Sequence, residues 1–182
     1  HVFGRSRGDA SLDATTFSTS MFTSVTINAN TDATKNPVIE GSVFGGGEVG
    51  IVKGSVDVTM NGGTVNDDVY GGGALANTNT ENPKDDGGNL TSTSTYKTTV
   101  DLFGGLIKGD AYGGGLGQLG TNPVAAMVYG DVDVTLGTTN DDPTKTTATA
   151  FNISYYDGYH ADVVKSGRVF GCNNLNGSPQ GL

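Results

Sequence analysis

The sequence predicts an all-β chain wound as a single-stranded parallel β-helix (β-solenoid) with polar loop insertions, and three observations carry that expectation. One pattern recurs without an internal gap: residues 62 to 73 read GGTVNDDVYGGG and residues 104 to 115 read GGLIKGDAYGGG, an offset of 42 (104 − 62). Glycine supplies 30 of the 182 residues while Trp is absent and charged residues reach only 16%, an unusual balance for a compact enzyme, so the backbone itself demands glycine. The apolar residues fall in short Val, Ile, Phe and Tyr runs that suit strands, and no segment sustains a 3.6-residue period.

The elements follow in order along the chain. A small apolar residue, an aromatic and a glycine stand together at Val2-Phe3-Gly4, Val43-Phe44-Gly45, Val69-Tyr70-Gly71, Ala111-Tyr112-Gly113, Val128-Tyr129-Gly130 and Val169-Phe170-Gly171. A second element alternates with period two: Gly54-Ser55-Val56-Asp57-Val58-Thr59-Met60 matches Gly130-Asp131-Val132-Asp133-Val134-Thr135-Leu136, with Thr99-Val100-Asp101-Leu102-Phe103 a looser relative. Alternation places Val56, Val58 and Met60 on one face and Asp57 and Thr59 on the other, as a half-buried strand requires. Phe44 and Tyr70 are 26 residues apart (70 − 44), a spacing close to one solenoid turn, whereas the 42 between Tyr70 and Tyr112 (112 − 70) include a polar insertion.

Three such excursions stand out, Arg5 to Phe22, Asn77 to Lys97 and Gly137 to Ala150, all rich in Thr, Asn, Asp and Ser. Each is flanked by the same strand elements, so they read as loops within one domain spanning residues 1–182. The Asn77–Lys97 excursion is the first candidate for recognition. Residues 79 to 95 are expected to be replaceable by a short linker without loss of the fold, because loop closure costs little.

Glycine runs at 45–47, 71–73 and 113–115 suit crowded corners that demand positive φ. Neighbouring parallel strands lie about 4.8 Å apart, so Phe3, Phe44, Tyr70, Tyr112 and Phe170 are expected to stack as an aromatic ladder. An antiparallel sandwich also uses short strands, but it requires no recurrence of sequence, whereas stacked repeats do.

The VYGGG units joined by VxVxL strands resemble the glycine-rich right-handed parallel β-helix repeats of bacterial surface proteins, autotransporter passengers and adhesin-like proteins among them. The resemblance covers 38–73, 98–136 and 163–174. It implies an extracellular or cell-surface, bacterial location, a fragment of a larger surface protein, and scaffolding or adhesion with a glycan or a host or bacterial surface protein as partner. It supplies no catalytic residues.

Composition narrows the partners further. A formal net charge of −9 repels a polyanion, so nucleic acid is not expected as a partner. No apolar run approaches the roughly 20 residues that span a bilayer, so no membrane insertion is expected in this segment. The amino terminus lacks a signal-peptide pattern, consistent with a removed signal or an excised piece. Cys172 is the single cysteine; it is expected to be a packed thiol, with no partner histidine to activate it.

The candidate ligand-binding residues are Tyr155, Tyr156 and Tyr159, in the stretch YYDGYH, where phenol rings beside Asp157 could stack on sugars. The competing and favoured reading of that stretch is a segment that caps the end of the stack. Gly113 to Gly120 resembles a calcium-binding glycine nonapeptide, but Gln118 stands where an aspartate is needed. The pairs Asp67-Asp68, Asp85-Asp86 and Asp141-Asp142 read first as solvated turns, and Arg7-Gly8-Asp9 as a chance match to an integrin-binding tripeptide. No metal or other cofactor is expected. A carbohydrate-active enzyme, a polysaccharide lyase or glycoside hydrolase, is the alternative function; it would need carboxylates paired across a bond. Asp57, Asp101 and Asp133 read instead as outward positions of alternating strands, so the chain is read as a binding or structural protein and not as an enzyme.

Overall fold

The computed structural model describes residues 1–5, 7–9, 11, 19–91, 94–137 and 168–181. Within them the strands are β1 (Val2–Phe3), β2 (Thr19–Ile27), β3 (Val38–Ile39), β4 (Val43–Phe44), β5 (Ile51–Val65), β6 (Val69–Tyr70), β7 (Thr98–Ile107), β8 (Ala111–Tyr112), β9 (Val132–Leu136) and β10 (Val169–Phe170). Every strand pair is parallel. The strands form two sheets, β1-β4-β6-β8-β10 and β2-β5-β7-β9, with β3 beside the last residues of β5.

This arrangement corrects the β-helix expected from the repeats: the described strands lie in two parallel sheets and close no regular coil. Spacing supplies the reason. Successive strands of the first sheet begin 41 (43 − 2), 26 (69 − 43), 42 (111 − 69) and 58 (169 − 111) residues apart, so the chain has no constant length on which to wind. Where a further wall would be needed, only single-residue bridges join Val52, Thr78, Val128 and Pro179.

The long strands form where period-two alternation meets a core. Register aligns Val25, Val58, Val100 and Val134 in one inward row, and Ile27, Met60, Leu102 and Leu136 in the next. Val58, Met60, Val100 and Leu102 are fully buried and pack with Val43, Val69 and Ala111 of the first sheet. Each such side chain contributes about 1.5–3 kcal/mol of burial. The outward row is Ser24, Asp57, Thr99 and Asp133.

In the two-residue strands consecutive side chains point to opposite faces, so Val43 enters this core while Phe44 turns to the other side of the sheet. There Phe3, Phe44, Tyr70, Tyr112 and Phe170 stack, with successive centroids 5.0, 4.7, 5.0 and 5.1 Å apart and interplanar angles of 12° or less. The sixth aromatic–glycine triplet does not join them. Val128 occupies the row of bridges with Val52 and Thr78, and it lies four residues before Val132 (132 − 128) as Val52 lies four before Val56 (56 − 52). That spacing, visible in the sequence, identifies Val128-Tyr129-Gly130 as the counterpart of Val52-Lys53-Gly54.

Glycine serves two separate needs. The glycines after the aromatics do not have positive φ; at Gly4, Gly45, Gly46, Gly71 and Gly72 glycine is needed because backbone lies where a Cβ would go. At Gly72 it would sit 2.7 Å from the Gly115 nitrogen. Positive φ occurs instead inside the long strands, at Gly63 (84°) and Gly105 (101°). Near these glycines the β5–β7 register shifts, around Asn61 and Thr64, as at a bulge.

Candidate functional site

The Asn77–Lys97 excursion divides into a buried base and an exposed tip. Thr78 bridges Val52 and Val128 in parallel, which ties the outgoing leg into the scaffold. Asn79, fully buried, adopts φ 56°, a left-handed conformation that Asn tolerates better than most residues. Its amide donates to the carbonyls of Gly54 (2.8 Å) and Lys97 (3.1 Å), and its Oδ1 accepts from the Thr98 hydroxyl (2.9 Å).

Asn82 joins the two legs. Its Nδ2 donates to the carbonyls of Tyr96 (2.8 Å) and Tyr129 (2.6 Å), while Oδ1 accepts from the amides of Thr95 (2.9 Å) and Tyr96 (3.0 Å). A buried amide bonded four ways is held rigidly, and truncating it would leave several backbone groups unpaired. On the return leg the Ser94 hydroxyl donates to Asp131 Oδ1 and accepts from the Asp131 amide, both at 2.9 Å. The expectation that 79–95 can be removed is therefore corrected: Asn79, Asn82 and Ser94 belong to the scaffold.

Beyond the base the chain forms a small hairpin closed by an antiparallel bridge between Lys84 and Leu90. Lys84 Nζ donates to the carbonyls of Thr80 and Asn82 and stands 4.5 Å from the Tyr129 ring centroid. Partial burial lowers its pKa, opposed by the nearby Glu81 carboxylate. At the tip Asp85 Oδ1 accepts from the amides of Gly87 (2.9 Å) and Asn89 (2.8 Å). Its bond from the Asn89 side chain and these backbone bonds hold the Asp85 carboxyl below its ordinary pKa. Pro83, Asp85, Asp86, Gly87 and Asn89 are exposed, so the tip presents carboxylates, an amide and backbone on an ordered turn.

A second surface lies beside the aromatic stack. Phe3, Phe44, Leu75, Leu116, Leu119 and Leu175 line an apolar groove of about 520 Å³ with His1 and Glu48 at its margin. Backbone bonds stack its leucine-bearing turns: Leu75 donates to Glu48 O (2.7 Å) and Leu175 to Leu116 O (2.8 Å). Farther along the stack, the Tyr70 hydroxyl donates to Asp68 (2.8 Å) and accepts from Asn174 (2.8 Å), and the Tyr112 hydroxyl donates to Asp110 (3.2 Å). Burial, with the Asp110 and Asp68 charges, pushes the Tyr112 phenol up to about 12. Tyr70 is raised further, by burial first and by Asp68.

The remaining candidates separate cleanly. Tyr155, Tyr156 and Tyr159 lie outside the described residues, as do Asp141 and Asp142. Asp68 and Asp85 are occupied by the bonds above. Among the described residues no three His, Cys, Asp or Glu side chains converge as a metal site would require. Arg7 pairs with Glu48 (3.2 Å), and Asp9 accepts from the Ser11 amide and hydroxyl, so the tripeptide is tied locally. The Gln118 backbone bonds Val124 in both directions. Cys172 is exposed, a correction to the packed thiol: it follows Gly171, where a Cβ would meet nothing within 4 Å among the described residues. No helix among the described residues is long and apolar enough to cross a membrane.

No protein-family model, curated protein or solved structure matches the chain.

Proposed function

We propose that this chain is a structural, adhesin-like scaffold of a bacterial cell surface or secreted protein, and that it presents its polar excursions to a glycan or protein partner. The observation that carries this reading is the contrast within 77–97: a tip of exposed polar groups stands on a base immobilised by the buried amides of Asn79 and Asn82. A tip ordered before contact loses less conformational entropy on binding, which favours recognition by a loop. The glycine-rich surface proteins that the sequence resembles support the same reading by analogy.

The test replaces residues 85 to 89 with a short Gly-Ser turn and leaves Lys84, Asn79 and Asn82 in place. Wild type and variant are applied to a glycan array and to a panel of surface proteins. The variant should keep its strand spectrum and melting temperature while losing the binding that wild type shows. Unchanged binding would show that recognition lies elsewhere.

A further inference from the structure

The Lys84 side chain turns from the hairpin back onto the scaffold. Its backbone closes the hairpin by the bridge to Leu90, and the bonds around that bridge stay within the hairpin. The Asp85 amide donates to the Asn89 carbonyl (2.9 Å), the Gly88 amide to the Asp85 carbonyl (2.9 Å) and the Thr91 amide to the Pro83 carbonyl (3.1 Å). Asp85 Oδ1 gathers the Gly87 and Asn89 amides in the same way. Among the described residues, Lys84 is the hairpin's single side chain that hydrogen-bonds to the base below it.

The seat that receives this side chain suits a cation. An ammonium only donates, and Lys84 Nζ donates to the carbonyls of Thr80 and Asn82, the second at 3.1 Å. It also stands over the Tyr129 ring, 4.5 Å from the centroid, so the three groups around the charge are all electron-rich. The seat is itself fixed from beneath. Asn82 Nδ2 donates to the Tyr129 carbonyl (2.6 Å), the Asn82 amide to the Asn79 carbonyl (3.2 Å) and the Tyr129 amide to the Thr78 carbonyl (3.0 Å). The nearby Glu81 carboxylate pairs with Lys53 (3.1 Å). A neutral side chain of similar length would leave the two carbonyls without this donor and gain no attraction from the ring.

We propose that Lys84 is the positioning residue of the recognition tip: its ammonium, seated between the Thr80 and Asn82 carbonyls and the Tyr129 ring, makes residues 85 to 89 meet a partner in one fixed orientation. The inference rests on the reading that this tip recognises a partner, and it assigns Lys84 no contact with that partner. Asp85 shapes the turn locally; Lys84 fastens the shaped turn to the scaffold. A turn free to swing on its two legs would have to give up that freedom on binding, so unfastening it weakens recognition without removing a single contact.

The test measures backbone order by NMR relaxation on the whole chain. In wild type the amides of Gly87, Gly88 and Asn89 should give order parameters near the ~0.85 of rigid backbone. Lys84→Met keeps the stem and drops the charge; in it they should fall below ~0.6, while Thr95, Tyr96 and Val100 stay as in wild type. Lys84→Cys should behave likewise, and 2-bromoethylamine should then restore tip order. In that reaction the thiolate displaces bromide and rebuilds a side chain of lysine's length that ends in an ammonium. Wild type treated in the same way controls for the exposed Cys172. On the same glycan array and surface-protein panel, binding that the 85–89 replacement abolishes should weaken about tenfold or more in Lys84→Met and return with the rebuilt ammonium. Unchanged tip order in Lys84→Met, a loss of order that spreads to 95, 96 and 100, or order that the rebuilt ammonium does not restore would each overturn the proposal, as would a loosened tip that binds like wild type. Binding that survives the 85–89 replacement would strike the recognition reading instead, and the order parameters would still decide whether Lys84 fastens the tip.

Discussion

The aromatic–glycine row and the Asn77–Lys97 excursion both hold chain in place without a long hydrogen-bond ladder, and they do so by opposite means. In the row, two-residue strands stack so closely that backbone fills the space a side chain would need: a Cβ at Gly72 meets the Gly115 nitrogen and Cα at 2.7 and 2.9 Å. In the excursion, side chains supply what backbone pairing cannot, through the four-way bonded Asn82 and the left-handed Asn79. At Gly72 the row has no room for an added atom, and at Asn82 the excursion can spare no missing one.

The largest effect expected from that contrast is in the row. Gly72→Val should destabilise by more than about 2 kcal/mol, because the obstructing atoms are backbone and cannot rotate away. Thermal melting of the variant measures this, and a near-wild-type transition would show that the row is looser than its geometry.

In the excursion the expected losses come from deletion. Asn79→Ala should cost about 1–3 kcal/mol, since the carbonyls of Gly54 and Lys97 lose a buried donor. Comparison with Asn79→Gly, which accommodates the positive φ without strain, separates the lost hydrogen bonds from the backbone cost. Equal stability of the glycine variant and wild type would assign Asn79 a purely conformational role.

A smaller effect belongs to the hydroxyl ends of the stack. Tyr112 has its pKa raised from 10.0 to about 12 in the folded chain, and Tyr70 is raised as well, so folding favours the protonated phenols. The Tyr112 contribution is complete below the unfolded value near 10 and is lost as pH rises from there through about 12, and that of Tyr70 persists to higher pH. Phenolate absorbance should therefore lag the ordinary tyrosine titration, and Tyr112→Phe should lessen the alkaline decline in melting temperature. The smallest effect is at the hairpin tip, where replacing 85 to 89 should change stability by less than about 0.5 kcal/mol.

Much of this was legible in the chain itself. The alternation of Val56, Val58 and Met60, the recurrence of aromatic–glycine triplets and the five rings that stack all follow from local pattern, because strand periodicity and close packing are written residue by residue. The error over Val128-Tyr129-Gly130 came from reading the triplet without its distance to the next alternating strand. The error over residues 79 to 95 came from treating a polar stretch as solvated, when its asparagines are polar because they satisfy buried backbone. Neither Asn79 nor Asn82 carries a signal in sequence that distinguishes it from the exposed Asn89.

By itself the sequence determined that the chain forms parallel, glycine-requiring strands with apolar and polar faces. Only the tertiary structure decided that these strands gather into two sheets, which glycine yields to backbone and which to positive φ, and where the excursion stops being scaffold. Those outcomes depend on atoms far apart in the chain, as when Asn174 reaches Tyr70 across 104 residues or Asn82 reaches Tyr129 across 47. Local propensity is blind to such contacts, because their energies exist only once distant strands have been brought into register.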